Sequence, residues 1–179
     1  PIFVLDGNEL FGVVSDLARM MQFGGHVPPC LVIGLGYPES DLETFSRRRK
    51  FEFTPTAWQS PWALDDSPSG GADQTLDFIC NELSGEISRR YDADLTNSVL
   101  AGLSYSGLFS LYARAKAPDA FPHHIALSPS LYWDGAYVLD QFEKSVSQGP
   151  PTRGRVFAAA GAREISISPP SEPEMARDI

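Results

Sequence analysis

The stretch Ala101-Gly102-Leu103-Ser104-Tyr105-Ser106-Gly107 lies between an apolar run at 98–103 and a helix-patterned segment at 105–117. The run reads as a buried strand and the segment as a helix, and a serine at such a junction has the setting of a nucleophile elbow. So tight a turn needs small residues two before and two after the serine, and it lifts the hydroxyl above the sheet with a helix N-terminus behind it. Gly102 and Ser106 hold those positions. Serine stands where a second glycine is usual, and Gly107 follows at once. An N-cap of the following helix is the competing reading of Ser104.

The rest of the chain supplies the sheet around this turn. Residues 2–5 are a short apolar run closed by Asp6-Gly7-Asn8, a strand ending in a turn. Leu10, Val13, Val14, Leu17, Met20 and Met21 recur at helical spacing until Gly24-Gly25. A second strand is expected at 30–35. From 36 to 71 no period holds, which predicts a long loop or lid. Leu76, Ile79, Cys80, Leu83 and Ile87 then form the apolar face of a helix over 72–91. Further strands are expected at 124–127 and 155–160, with helices at 137–146 and from 172 to the end. Strands alternating with helices predict a single α/β domain over 1–179, its mostly parallel sheet covered by helices on both faces. Ligands in such sheets bind at the carboxyl ends of the strands.

Composition narrows the function. The chain has 179 residues, 42% of them hydrophobic, and 14 basic against 23 acidic side chains, for a net charge of -9. That describes one soluble globular domain. A membrane span needs about 18 or more apolar residues in a row, and the apolar runs here are strand-sized. A net acidic surface repels phosphate backbones, and the compact basic cluster is only Arg47-Arg48-Arg49-Lys50, so no nucleic-acid role is expected. A small-molecule partner is expected instead. Cys30 and Cys80 read as buried thiols. No secretory signal is visible before Pro1, so a cytoplasmic location is expected, or a periplasmic one should a signal have been trimmed.

An acyl-transfer serine needs two backbone donors where the oxyanion develops. The Tyr105 amide is one, and Gly7 or Asn8, in the loop after the first strand, is placed to supply the other. In this architecture an acid and then a histidine follow the serine in the chain. His26, His123 and His124 do not fit: the first precedes the second strand, and the others enter the fourth strand from its amino end. The base is therefore expected beyond Ile179, with N- and C-terminal elements of the fold lacking, and a fragment ending there is expected to be inactive. For the acid, Glu164 after the fifth strand is preferred to Asp134, which reads as the N-cap of the next helix. Trp133 and Tyr132 would then line the acyl or alcohol pocket. No metal or organic cofactor is implied, since neither ligand-spaced His/Cys clusters nor nucleotide-binding glycine patterns occur.

Six segments together resemble one family: Ile2-Phe3-Val4-Leu5-Asp6-Gly7, Gly34-Leu35-Gly36-Tyr37-Pro38, Arg47-Arg48-Arg49 with Phe53-Thr54-Pro55-Thr56, Gly70-Gly71-Ala72-Asp73, Gly102 through Phe109, and Ser128 through Asp134. In that order they resemble an esterase of the α/β-hydrolase fold, close to the enterochelin (ferric siderophore) esterase-like group that includes relatives of esterase D. The resemblance implies a serine carboxylic ester hydrolase working through an acyl-enzyme on Ser104. Its siderophore substrates are trilactones bearing anionic catecholates, which Arg47, Arg48 and Arg49 would meet at the mouth; a solvated charge run is the competing reading. Some members work with a Ser-His dyad, which would leave Glu164 without a role. An acyltransferase on the same scaffold and a non-catalytic binding module are the alternatives.

Overall fold

The computed structural model describes residues 1–39, 41–59, 66–147, 153–162 and 164. Five strands, β1 (Ile2–Val4), β2 (Val32–Gly34), β3 (Val99–Leu103), β4 (His123–Leu127) and β5 (Arg155–Ala159), form one sheet in the order β2-β1-β3-β4-β5. Every pairing is parallel. The helices are α1 (Gly7–Phe23), α2 (Leu42–Phe53), α3 (Ala72–Asp77), α4 (Ser84–Arg90), α5 (Tyr105–Lys116) and α6 (Tyr137–Ser147). The connection from β1 to β2 runs outward one way and those from β2 to β3, β4 and β5 run the other. Right-handed crossovers therefore put α1 on one face and the remaining helices on the other. Packing agrees: α1 lies against β1 and β2, while α5 touches β3, β4, α2 and α6.

The core sits on the α5 face. Residues 106–113 of α5 are all buried, so this helix is covered on every side by sheet and neighbouring helices. Phe3 meets Phe121 edge to face at 5.3 Å, and Phe53 lies 5.5 Å from Phe109. Each such fully buried side chain contributes about 1.5–3 kcal/mol of transfer free energy. Among the described residues no helix is long and apolar enough to cross a membrane.

The expected loop at 36–71 contains helix α2. Asp41 caps it, its carboxylate accepting from the Thr44 amide at 2.8 Å, which satisfies one of the orphan donors of the first turn. The expected helix over 72–91 is continuous but widens into a π-helical turn at Phe78–Leu83, where the Ser84 hydroxyl donates to the Ile79 carbonyl at 2.7 Å. Asp6-Gly7-Asn8 is not a free-standing turn: Asp6 takes a left-handed conformation (φ 53°) and α1 begins at once at Gly7. Cys30 precedes β2, and both thiols are half-buried rather than buried. The helix expected from 172 onward lies outside the described residues.

Candidate active site

Ser104 stands at the junction of β3 and α5 with φ 60° and ψ -116°, a region that residues with a Cβ rarely enter and that costs roughly 1–3 kcal/mol. Its amide donates to the Leu127 carbonyl of β4 at 2.9 Å, and its own carbonyl accepts from Ser130 at 3.2 Å and from Leu108 at 2.9 Å. The backbone is thus held on both sides of the strain. The need for a small residue before the serine is literal: a Cβ on Gly102 would overlap the carbonyl of Ser106.

Ser106 occupies the second small position differently. Its hydroxyl turns down from the elbow, donating to Asp6 Oδ2 at 2.6 Å and accepting from the Leu103 amide at 2.7 Å. Asp6 in turn takes both prongs of Arg49, Nε at 2.7 Å and Nη2 at 2.8 Å, and Nη2 also donates to the Leu103 carbonyl at 2.9 Å. Asp6 is 1% exposed and the Arg49 side chain 16%, so this is a shielded bidentate pair. Burial works against the Arg49 charge, but the hydrogen bonds and charge of Asp6 outweigh it and hold the guanidinium above its ordinary pKa. Removing one partner of such a pair costs roughly 3–5 kcal/mol, because the other is left charged and unmatched.

The three arginines therefore do not share one role. Successive helix positions point about 100° apart, and α2 sends Arg47, Arg48 and Arg49 to different places. Arg47 is exposed and 3.7 Å from Glu43. Arg48 pairs with Glu39 at 2.6 Å and Glu52 at 3.2 Å, its guanidinium over the Tyr37 ring. Arg49 is both shielded and committed to Asp6 and the elbow, whereas Arg47 and Arg48 stay exposed beside their carboxylates, so the expectation that Arg49 meets substrate anions at the mouth is corrected.

Of the two expected oxyanion donors in the first loop, the Gly7 amide is already given to the Leu35 carbonyl at 2.7 Å. Asn8 differs: its side chain clamps the Tyr37 backbone, accepting from its amide at 2.6 Å and donating to its carbonyl at 2.8 Å, while its own amide lies in the first turn of α1. The Tyr105 amide opens α5 directly after Ser104, where the helix dipole favours negative charge.

Trp133 is wholly buried, its Nε1 donating to Thr56 Oγ1 at 3.0 Å and its ring edge-on to Trp58 and Tyr105. It is a core support for the first turn of α5, not an open pocket wall, which corrects the expectation; Tyr132 beside it is half-buried. Asp134 is not the N-cap of α6. It begins a left-handed turn, Asp134-Gly135-Ala136 with φ 47°, 63° and 67°, and α6 starts after it at Tyr137.

Glu164 lies beyond β5, where its Oε1 accepts from Ser128 Oγ at 2.9 Å and the Gly161 amide at 3.1 Å. The structure thus gathers Ser104, Ser128, Ser130 and Glu164 along the carboxyl ends of β3, β4 and β5. The described histidines are elsewhere. His26 is exposed past α1, and His123 contacts Asn97. His124 pairs in register with Leu100, four residues and roughly 13 Å of strand from Ser104. It is 1% exposed and bound to Phe121 and Ser110, and burial lowers its pKa to about 4.

Sequence reasoning missed Asp6, Arg49 and Ser106 as one cluster, and Ser130 beside Ser104. The only local signal was the departure from glycine at 106.

Residues 32–176 match the profile of the family Esterase, described as "Putative esterase". The chain is 34% identical over 157 residues to the ferri-bacillibactin esterase BesA of Bacillus subtilis (strain 168), covering 82% of this chain and 53% of that protein. It is 33% identical over 142 residues to the siderophore triacetylfusarinine C esterase of Aspergillus fumigatus, covering 78% and 47%. Among solved structures, the siderophore hydrolase EstA of Aspergillus nidulans superposes with a TM-score of 0.81 at 26% identity, covering 98% of this chain and 62% of that one. The chain spans about half the length of the curated relatives it matches. The fold is that of the α/β-hydrolase esterases, of which this sheet is part.

Proposed function

The chain belongs to the Esterase family, and on that premise we propose that it carries the nucleophile of a serine carboxylic ester hydrolase acting on siderophore-type esters. The observation that carries the reading is the strained Ser104 backbone at a strand–helix junction. Such strain persists only where the surroundings over-determine it, and it concentrates at active sites.

In this reading Ser104 Oγ attacks the ester carbonyl and the Ser–H proton passes to a histidine outside the described residues. The Tyr105 and Asn8 amides receive the oxyanion, the alcohol leaves with the proton, and water then releases the acyl group from Ser104 by the reverse sequence. Glu164, held by Ser128 and the Gly161 amide beyond β5, is the carboxylate that would orient the imidazole in this reading. The siderophore class rests on the relatives' activities, and Arg47 and Arg48 are the arginines left to meet an anionic substrate.

Intact-mass spectrometry of the full-length protein with a fluorophosphonate tests the reading. A single adduct that disappears in Ser104→Ala is expected, together with consumption of a siderophore ester. No adduct on a folded protein would turn the assignment toward a binding module, and ester consumption only with an alcohol acceptor toward an acyltransferase.

A further inference from the structure

Strand β1 leaves the ladder early. Its last pairing with β3 is Val4 with Ala101, the Leu5 amide still donates to the Ala101 carbonyl at 2.9 Å, and the chain then turns into α1 at Asp6. Leu103, two residues further along β3, therefore has no β1 backbone beside it. Side chains take over: Ser106 Oγ receives the Leu103 amide at 2.7 Å, and Arg49 Nη2 donates to the Leu103 carbonyl at 2.9 Å. That carbonyl belongs to the peptide bond joining Leu103 to Ser104, so the group that fixes its plane also fixes φ of the nucleophile.

Asp6 ties the two donors together, accepting from Arg49 on both oxygens and from Ser106 on Oδ2. Its own left-handed backbone aims the carboxylate at the elbow. From this geometry we infer that Asp6, Arg49 and Ser106 are positioning residues that hold the Leu103–Ser104 peptide, and through it the Ser104 hydroxyl, in the attacking orientation. The inference rests on the esterase reading of Ser104. It also gives the serine at 106 a use: glycine there would leave the Leu103 amide and one Asp6 lone pair without this partner.

The experiment uses the full-length protein and measures the rate of Ser104 phosphonylation by a fluorophosphonate, kcat and KM on a neutral p-nitrophenyl ester, and the folded fraction from denaturant titration. Ser106→Ala keeps the ion pair and the fold, and is expected to lower kcat and the phosphonylation rate together by about 10-fold, with KM within twofold. Arg49→Met should lower both by about 100-fold after correction for folded fraction, and Arg49→Lys, which can restore one contact but not the fork, should recover part of the loss. Phosphonylation in the unsubstituted protein with unchanged rates in the folded variants overturns this inference alone. Absence of phosphonylation in the unsubstituted protein overturns the esterase reading and the inference with it.

Discussion

Ser104 Oγ and Ser130 Oγ lie 3.2 Å apart, and the Ser130 amide donates to the Ser104 carbonyl. Ser130 thus touches Ser104 at both its backbone and its hydroxyl, from the loop that follows the carboxyl end of the neighbouring strand β4. A buried hydroxyl in that place limits the rotamers of Ser104 Oγ before any substrate arrives.

On the esterase reading, Ser130→Ala is therefore expected to lower kcat/KM of the full-length protein by roughly 2- to 10-fold, the equivalent of one net hydrogen bond of about 0.5–1.5 kcal/mol. Steady-state kinetics with a neutral ester checks this. An unchanged kcat/KM would show that Ser130 acts on the backbone only.

The strain at Ser104 predicts an opposition between stability and reactivity. Glycine adopts positive φ without a Cβ penalty, so Ser104→Gly should be more stable than Ser104→Ala by about 1 kcal/mol, while both are inactive. Urea titration of the two variants side by side measures the difference. Equal midpoints would mean that the elbow is not strained in solution.

Trp133 predicts the behaviour of a residue far away in sequence. Thr56→Val preserves shape but leaves the buried indole N–H without its acceptor, at a cost of about 1–3 kcal/mol. Denaturation followed by tryptophan fluorescence should show a lower midpoint than the parent. A midpoint unchanged within error would remove the bond's assigned role.

His124 sets a pH dependence whose sign is fixed. Burial lowers its pKa from an ordinary 6.5 to about 4, so between those values the unfolded chain binds a proton that the native chain does not. Stability should fall as pH falls through that window, by up to about 3 kcal/mol at about 1.4 kcal/mol per pH unit, and should be fully present above pH 6.5. Calorimetry on the parent and on His124→Gln from pH 7 to pH 4 compares the slopes. The variant is expected to have the shallower one, and identical slopes would overturn the assignment.

Much of this could be read from the chain because it is local. The elbow is written within Gly102 to Gly107, and each strand centres on a short apolar run whose expected bounds agree with the sheet to within two residues. Helix α2 escaped because Arg47, Arg48, Arg49 and Lys50 interrupt its apolar face, although Asp41 with Thr44 three residues on is a capping signal. The function of Arg49 had no local trace at all. Its partner Asp6 stands 43 positions away and looks like a turn residue, and only the folded chain, with α2 packed on α5 and α3, brings them together. Trp133 misled for a related reason: an aromatic at a strand's carboxyl end suggests a pocket, and its burial depends on Thr56 and Trp58 folding over it.

The span of the Asp6 to Ser106 contact, 100 residues, bears on how the molecule comes into being. Contacts between distant parts of a chain form late, because closing the intervening loop costs entropy before it is rewarded. During synthesis Asp6 emerges first, α2 with Arg49 next, and the elbow only afterwards. Until all three have met, Ser104 is free to relax to an ordinary backbone angle. On the positioning role proposed for Asp6, Arg49 and Ser106, the Ser104 hydroxyl is expected to gain its orientation only once all three have met, and a nascent or misassembled chain to carry a serine of ordinary reactivity.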